Sequence, residues 1–415
     1  MNQYVIIGNG VAAISCVEGI RSVDSDGKII IISEEKHPTY CRPLISYYLE
    51  EKTDLERMKY RDDSFYKKTG CEVLYGRKAV KIDSSVKSVL LDDGTQIAYT
   101  SLCVAAGSSP FVPPFTGLDT VENKFSFMTL DDTLALEAAV NKDSRVLIIG
   151  AGLIGLKCAE GLAARVADIT VCDLADRVLS SILDNECAAI VQKHLEKHGI
   201  NFLLGDSAAS FNGTVATMKS GKTVEFDVLV LAVGVRANTS LVSEIGGEVN
   251  RGIVVNTRME TSVPDIYAAG DCTEGNDISF GQNRVLALLP NANLQGRCAG
   301  INMAGGEAVF DKAIPMNSIG FFGLHIMTAG SYFKEDEGGE LYEEKTPDSY
   351  KKLFMRDGYL TGFILIGETG RAGIYTSLIR EKTPLSTINF EILKKNATSA
   401  AFSSEKRKQK FGGVV

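Results

Sequence analysis

No Cys-x-x-Cys occurs anywhere in the 415 residues. The nine cysteines stand at 16, 41, 71, 103, 158, 172, 187, 272 and 298, and no two are closer than 14 residues. That spacing excludes the local signatures of thioredoxin-like, zinc and ferredoxin-type sites, so no metal site is expected. An odd, scattered set fits a reducing cytoplasm, where cysteine serves as a small hydrophobe. Proline is scarce, 10 residues against 40 glycines, and with 45% hydrophobic and 23% charged residues the composition excludes collagen, disorder and disulfide miniproteins. A Lys/Arg surplus is also missing: the net charge of −8 disfavours nucleic acid as a partner. No apolar run approaches a membrane span. The N-terminus, MNQYVIIGNG, has neither a basic n-region nor a long apolar h-region. The expectation is a cytoplasmic protein of two or three domains with no membrane and no nucleic acid partner.

What is present begins at once. Tyr4-Val5-Ile6-Ile7 reads as a strand and runs into Gly8-Asn9-Gly10-Val11-Ala12-Ala13 and a helical stretch. In this context Gly8 serves the tight turn, Gly10 lets a pyrophosphate approach the backbone, and Ala13 lets the helix pack on the strand. The helix N-terminus offers free N–H groups and a positive dipole end. The next strand, Lys28 to Ser33, ends at Glu34, 26 residues after Gly8, where a carboxylate can take ribose hydroxyls.

The construction recurs. Arg145-Val146-Leu147-Ile148-Ile149 leads into Gly150-Ala151-Gly152-Leu153-Ile154-Gly155, a helix, and a strand ending at Asp173. Downstream, Asp93-Gly94 turns into a strand reaching Ala105-Ala106-Gly107, and Ser220-Gly221 into one reaching Ala232-Val233-Gly234, with glycine spacings of 13 in both. An internal repeat on this scale predicts two equivalent dinucleotide units, each completed by a β-meander. Asp173 favours NADH over NADPH, because a carboxylate accepts from a free 2′-OH and repels a 2′-phosphate; Arg177, four residues on, slightly blurs this.

A third strand, Ile266-Tyr267-Ala268-Ala269, ends in Gly270-Asp271. With these motifs the sequence resembles the two-dinucleotide-binding-domain flavoproteins, the pyridine nucleotide–disulfide oxidoreductase superfamily, over roughly residues 1 to 390. The pieces Tyr40-Cys41-Arg42-Pro43-Leu44-Ile45-Ser46, Gly234-Val235-Arg236-Ala237-Asn238-Thr239 and Leu289-Pro290-Asn291-Ala292 are most similar to NADH:rubredoxin reductases and the flavin part of nitrite reductase large subunits. The resemblance implies an α/β fold: two Rossmann-like FAD/NAD(P)-binding domains, glutathione reductase-like, plus an α+β C-terminal interface domain. FAD would occupy 1–112 and 243–308, NAD(H) 113–242, and the interface domain 309–395. FAD contacts are implied for Gly8, Gly10, Ala13, Glu34, Arg42, Pro43, Val80, Ala106, Gly107, Asp271 and Ala292. NAD contacts are implied for Gly150, Gly152, Ile154, Gly155, Asp173, Val233 and Gly234.

Disulfide reductases of this superfamily carry a flavin-adjacent C-x4-C, and peroxidase-like members a single cysteine just after the position of Pro43. Here Leu44-Ile45-Ser46-Tyr47-Tyr48-Leu49 holds no cysteine, which argues against dithiol or peroxide chemistry. Cys41 reads as a small packing residue. Electron-transferring relatives place a Lys where Tyr47 stands and a Glu where Lys157 stands. Lys157 is therefore the candidate catalytic cation near flavin N5, either stabilising the reduced flavin or pairing with a carboxylate that the sequence does not identify; the alternative has it pointing off the helix into solvent. His194 and His198, at i, i+4 among Lys193, Glu196 and Lys197, read as a solvated helix face.

From Phe310 onward the pattern changes to apolar strands, with Tyr350–Arg356 and Tyr359–Ile366 joined by Asp357-Gly358, a hairpin signal. A helix over Ala372–Arg380 follows, and residues 396–415, with a local charge of +3, are expected to be a disordered tail. In relatives the interface domain covers the flavin and serves dimerisation or partner docking, which leaves a homodimer and a hetero-oligomeric complex open. The expected activity is hydride transfer from NADH to FAD, with electrons passed to an external rubredoxin, ferredoxin or iron–sulfur partner subunit. Two alternatives stay open: an NADH oxidase reducing oxygen, and an FAD-binding structural or regulatory subunit.

Overall fold

The computed structural model describes residues 2–332, 337–405 and 407. In chain order the first nucleotide half consists of β1 (Gln3–Ile7), α1 (Val11–Arg21), β2 (Lys28–Ser33), α2 (Ile45–Leu49), β3 (Cys71–Tyr75), a meander β4 (Ala79–Asp83), β5 (Ser88–Leu91) and β6 (Gln96–Ala98), then β7 (Ser101–Val104) and β8 (Ser108–Pro110). The second repeats it: β9 (Lys124–Phe125), α3 (Leu130–Ala139), β10 (Arg145–Ile149), α4 (Leu153–Leu162), β11 (Asp168–Asp173), α5 (Asn185–Glu196), β12 (Ile200–Leu204), a meander β13 (Ala208–Asn212), β14 (Val215–Met218) and β15 (Thr223–Glu225), then β16 (Val228–Leu231) and β17 (Val235–Ala237). The chain then returns to the first half with β18 (Ile266–Ala268) and α6 (Leu289–Met303).

The two sheets have one design. Their strand orders are β18-β7-β1-β2-β3 and β9-β16-β10-β11-β12, parallel throughout. Strands such as YVII and VLII are buried along their whole length, because helices and meanders cover both faces of a parallel sheet. β8 and β17 pair antiparallel, joining the segments that lead out of and back into the first half. Both sheets belong to one compact unit, formed by the chain up to Gly275 and by Asn283–Phe310.

Within that unit α1 and α6 touch backbone to backbone. A Cβ on Gly296 would stand 2.1 Å from the Ala12 carbonyl oxygen, and one on Gly300 2.0 Å from that of Cys16. Small residues here let α6 pack directly on α1, the helix that follows the first glycine turn.

A second unit comprises Asn276–Gln282 and the chain from Asp311. Its antiparallel sheet has β19 (Met316–Phe321), β20 (Leu324–Gly330), β21 (Gly339–Lys345), β22 (Tyr350–Arg356) and β23 (Tyr359–Ile366), ordered β19-β20-β23-β22-β21. The Asp357-Gly358 turn has φ of 52° and 76°, both positive as a type I′ hairpin requires. Leu353 and Phe363 pack with Tyr375 and Leu378 of α7 (Ala372–Arg380). The expectation of a disordered tail from 396 needs correction: Ala397, Ala401 and Phe402 are buried in this core, while 406 and 408–415 lie outside the described residues. Among the described residues no helix is long and apolar enough to cross a membrane.

Candidate functional site

The two glycine turns superimpose in their hydrogen bonding. Gly8 N–H donates to Ile32 O at 2.8 Å and Ala105 N–H to Ile7 O at 2.8 Å; Gly150 N–H donates to Cys172 O at 2.7 Å and Ala232 N–H to Ile149 O at 2.8 Å. Gly8 (φ +106°) and Gly150 (φ +116°) lie in the left-handed region, and a Cβ on either would fall 2.2 or 2.3 Å from a carbonyl oxygen of the neighbouring strand. Their glycine is a demand of the fold.

Gly10 and Gly152 are different. They cap α1 and α4 at φ −93° and −83°, and a Cβ there would meet nothing within 4 Å. Neither backbone nor packing asks for glycine at these two positions, but a phosphate brought against the helix N-terminus does. Both sites thus fit a dinucleotide on the residues present. Gly107 and Gly234 likewise face open space at the ends of the returning strands.

Around the first turn the expected residues converge. A Cβ on Gly270 would lie 3.0 Å from Ala12 Cβ and 3.8 Å from Ala292 Cβ, and Gln295 of α6 accepts from Gly270 N–H at 2.9 Å. Asp271 follows directly. Burial pushes its carboxyl up from the ordinary value, and the nearby Arg42 charge pulls it back. Asn238 donates to Ala106 O at 2.8 Å and its N–H to Gly107 O at 3.0 Å, tying that edge to the strand from the second half. Glu34 is exposed at the end of β2 and pairs with Lys78 at 2.9 Å, two residues from the exposed Val80.

The sequence reading passed over Glu35. One of its oxygens accepts from Arg42 Nη2 and the other from Tyr40 OH, both at 2.6 Å, while Arg42 Nη1 reaches Met128 O at 2.6 Å. This clamp fixes the Cys41-Arg42-Pro43 segment. The only signal for it was a second acid beside Glu34.

In the second turn Asp173 accepts from Ala151 N–H at 2.7 Å through one oxygen and from Ala175 N–H at 2.8 Å through the other. Arg177 is bonded to Asp176, Leu183 O and Ser180 O. Ile154 and Gly155 lie in the first turn of α4, and Val233 abuts Gly150: a Cβ there would be 3.1 Å from Val233 N.

Lys157 does not point off the helix into solvent. Its side chain is 17% exposed, bonded to Glu160, 3.9 Å from Glu50 Oε1 and 4.5 Å from the centroid of the Tyr47 ring. The carboxylates within reach of Lys157 are Glu160, one turn along the same helix, and Glu50, just past α2. The i, i+3 spacing of Lys157 and Glu160 was a legible cue for the first. Cys41 is half-buried and burial raises its thiol pKa, so it is not primed as a thiolate.

The sequence profile of the pyridine nucleotide-disulphide oxidoreductase family matches residues 2–296. This chain belongs to that family. A second profile, the rubredoxin NAD+ reductase C-terminal domain, matches residues 315–383 of this oxidoreductase. It is 32% identical over 397 residues to the NADH-dependent phenylglyoxylate dehydrogenase subunit epsilon of Aromatoleum evansii, covering 93% of each chain. It is 31% identical over 391 residues to a nitrite reductase [NAD(P)H] of Bacillus subtilis (strain 168), covering 92% of this chain and 48% of that one. A solved covalent putidaredoxin reductase–putidaredoxin complex shares the fold, with a TM-score of 0.87 at 21% identity over 100% of this chain and 99% of that one. The family is FAD-dependent and uses NAD(H). No cysteine stands between Leu44 and Leu49 of this oxidoreductase.

Proposed function

We propose that the chain takes hydride from NADH onto FAD and passes the electrons to a separate iron–sulfur carrier or partner subunit. The observation that carries the reading is the pair of open glycine positions, Gly10 and Gly152, on two equivalent helix N-termini within one unit, with no primed thiol beside them. FAD, when bound, accepts hydride and releases electrons singly. The chain's own residues supply the rest.

In this reading Gly8, Gly10 and Ala13 admit the FAD pyrophosphate, Glu34 takes the ribose, and Asp271, Ala106, Gly107, Ala292, Val80, Arg42 and Pro43 line the remainder. Gly150, Gly152, Ile154, Gly155, Val233 and Gly234 admit the nicotinamide nucleotide. Asp173 selects NADH: its carboxylate is fixed by two backbone N–H groups, and Arg177 is committed to local partners. Lys157 brings positive charge to the flavin edge. Without a C-x-x-C or flavin-side thiol, electrons leave the chain, and the relative named as a dehydrogenase subunit favours a partner subunit as acceptor. Nine free cysteines suit a reducing, cytoplasmic setting.

The test is flavin analysis of the purified protein followed by anaerobic titration. One FAD per chain, bleached by stoichiometric NADH and at least about tenfold less effectively by NADPH, supports the reading; a flavin that NADH leaves oxidised points to the structural-subunit alternative.

A further inference from the structure

The two glycine turns differ at their middle residue, Asn9 in the first and Ala151 in the second. In both, the carbonyl of that residue is tied to the chain beyond the neighbouring strand: Thr39 Oγ1 donates to Asn9 O at 2.7 Å, and Leu179 N–H to Ala151 O at 2.9 Å. Only in the first does the middle residue add bonds of its own side chain. Asn9 Oδ1 lies 2.9 Å from Thr39 Oγ1 and accepts from Tyr66 OH at 3.1 Å, and the two hydroxyls are 3.0 Å apart. Thr39 N–H donates to Tyr66 OH at 3.3 Å, and Thr39 O accepts from Tyr60 N–H at 2.8 Å. Tyr75 OH bonds Tyr66 and approaches the Asn9 amide.

These partners come from three places in the chain. Thr39 stands between Glu34 and Arg42, Tyr66 in the short helix Phe65–Thr69, and Tyr75 at the end of β3, five residues before Val80. Asn9 thus joins the glycine turn to the segments that carry Glu34, Arg42, Pro43 and Val80. The hydroxyls do not need it: without the amide, Thr39 Oγ1 keeps the backbone carbonyl of residue 9, and Tyr66 keeps Thr39. The other end of the amide, Nδ2, is buried and outside bonding geometry with any described group. A buried donor left unbonded weakens a fold, and such breaches of the local rules gather where function requires them.

We infer that Asn9 is a positioning residue that fastens the first glycine turn to segments 34–43 and 75–80, so that the dinucleotide seated there leaves slowly. The second turn, with Ala151, has no such fastening and releases its nucleotide readily. This rests on the reading that FAD occupies the first site and NADH the second. Release from the first turn requires the turn and the two segments to part together, which raises the barrier to leaving while entry is unchanged. One side chain then separates a resident cofactor from an exchanging substrate on two turns of the same design.

The test is the release of FAD from the loaded protein, followed as flavin fluorescence after dilution, which needs neither NADH nor an acceptor. Asn9→Ala, which copies the second turn, is expected to release FAD at least about tenfold faster, or ~1.4 kcal/mol of affinity. Its FAD association rate and its Kd for NAD+ are expected within about twofold of wild type, and its flavin-free Tm within ~2 °C. Thr39→Val removes the same bonds from the other side, so the Asn9→Ala/Thr39→Val double variant is expected to release FAD no faster than Thr39→Val alone. An Asn9→Ala release rate within twofold of wild type, effects that multiply in the double variant, or a loss of flavin-free stability equal to the loss of affinity would overturn the inference. Should Asn9→Ala be isolated without FAD, Tyr66→Phe, which leaves Asn9 and Thr39 bonded, provides the test: release about threefold faster supports the inference and an unchanged rate overturns it. Faster release from an Asn9→Ala protein whose FAD is not reduced by NADH would sink the functional reading and leave this inference standing. An FAD that NADH reduces but that Asn9→Ala releases no faster does the reverse.

Discussion

Asp173 Oδ2 receives the Ala151 N–H at 2.7 Å, so the acid ending β11 is locked to the glycine turn it faces. That bond makes the carboxylate part of the loop, and in the proposed function its charge is what turns away a 2′-phosphate. Asp173→Asn keeps an acceptor for Ala151 while removing the charge. The ratio of kcat/KM for NADH over NADPH is expected to fall at least about tenfold, or ~1.4 kcal/mol of discrimination. Steady-state kinetics with both nucleotides checks it; an unchanged ratio would mean that selectivity lies elsewhere.

Gly10 and Gly300 separate a cofactor's demand from a fold's. Gly10→Ala places a methyl in open space at φ −93°, so the flavin-free protein is expected to lose no more than ~1 kcal/mol of stability while FAD affinity drops at least tenfold. Gly300→Val drives a side chain into the Cys16 carbonyl and forces α6 off α1, at a cost of about 3 kcal/mol with or without FAD. Denaturant melts of both forms, with flavin fluorescence for binding, distinguish the two behaviours.

Asp271 gives a pH signature. Burial raises its folded-state carboxyl above the unfolded value, so the ionised group weakens the flavin-free fold at neutral pH, and that penalty disappears once pH falls below the unfolded carboxylate range. Asp271→Asn is therefore expected to raise the Tm of the flavin-free protein at pH 7. The gain shrinks towards zero near pH 4, and FAD is retained less well. A gain that grows on acidification would contradict the assigned direction.

Cys41 tests the electron route. Its thiol is held protonated by burial, and no second cysteine lies in the adjoining segment. Cys41→Ser is expected to keep NADH-dependent reduction of a protein acceptor within about twofold. Loss of turnover with the flavin still reducible would restore a thiol to the mechanism.

The legible part of this protein was what a short stretch of chain decides by itself. Gly8 and Gly150 are required by one turn and one neighbouring strand, and the Asp357-Gly358 hairpin by its own two φ angles, so each could be read locally. Gly10 and Gly152 were read from the same motif as places where a pyrophosphate approaches, and in the structure neither their φ nor their packing asks for glycine. The charge cluster was not, since Glu50 and Lys157 are separated by 107 residues and meet only when α2 packs on α4. The edge strand Gly339–Lys345 was hidden by its glutamates, and the anchoring of Ala397, Ala401 and Phe402 by the polar residues around them.

The central claim is that electrons enter as hydride from NADH and leave to another protein. Stopped-flow reoxidation of the NADH-reduced, FAD-loaded protein tests it most directly, with oxidised rubredoxin, ferredoxin or a purified iron–sulfur partner in one syringe and air-saturated buffer in another. The account predicts that at least one protein acceptor restores the oxidised flavin spectrum at least about tenfold faster than oxygen. Reoxidation by oxygen at an equal or greater rate, with peroxide formed in step with NADH consumed, would contradict it.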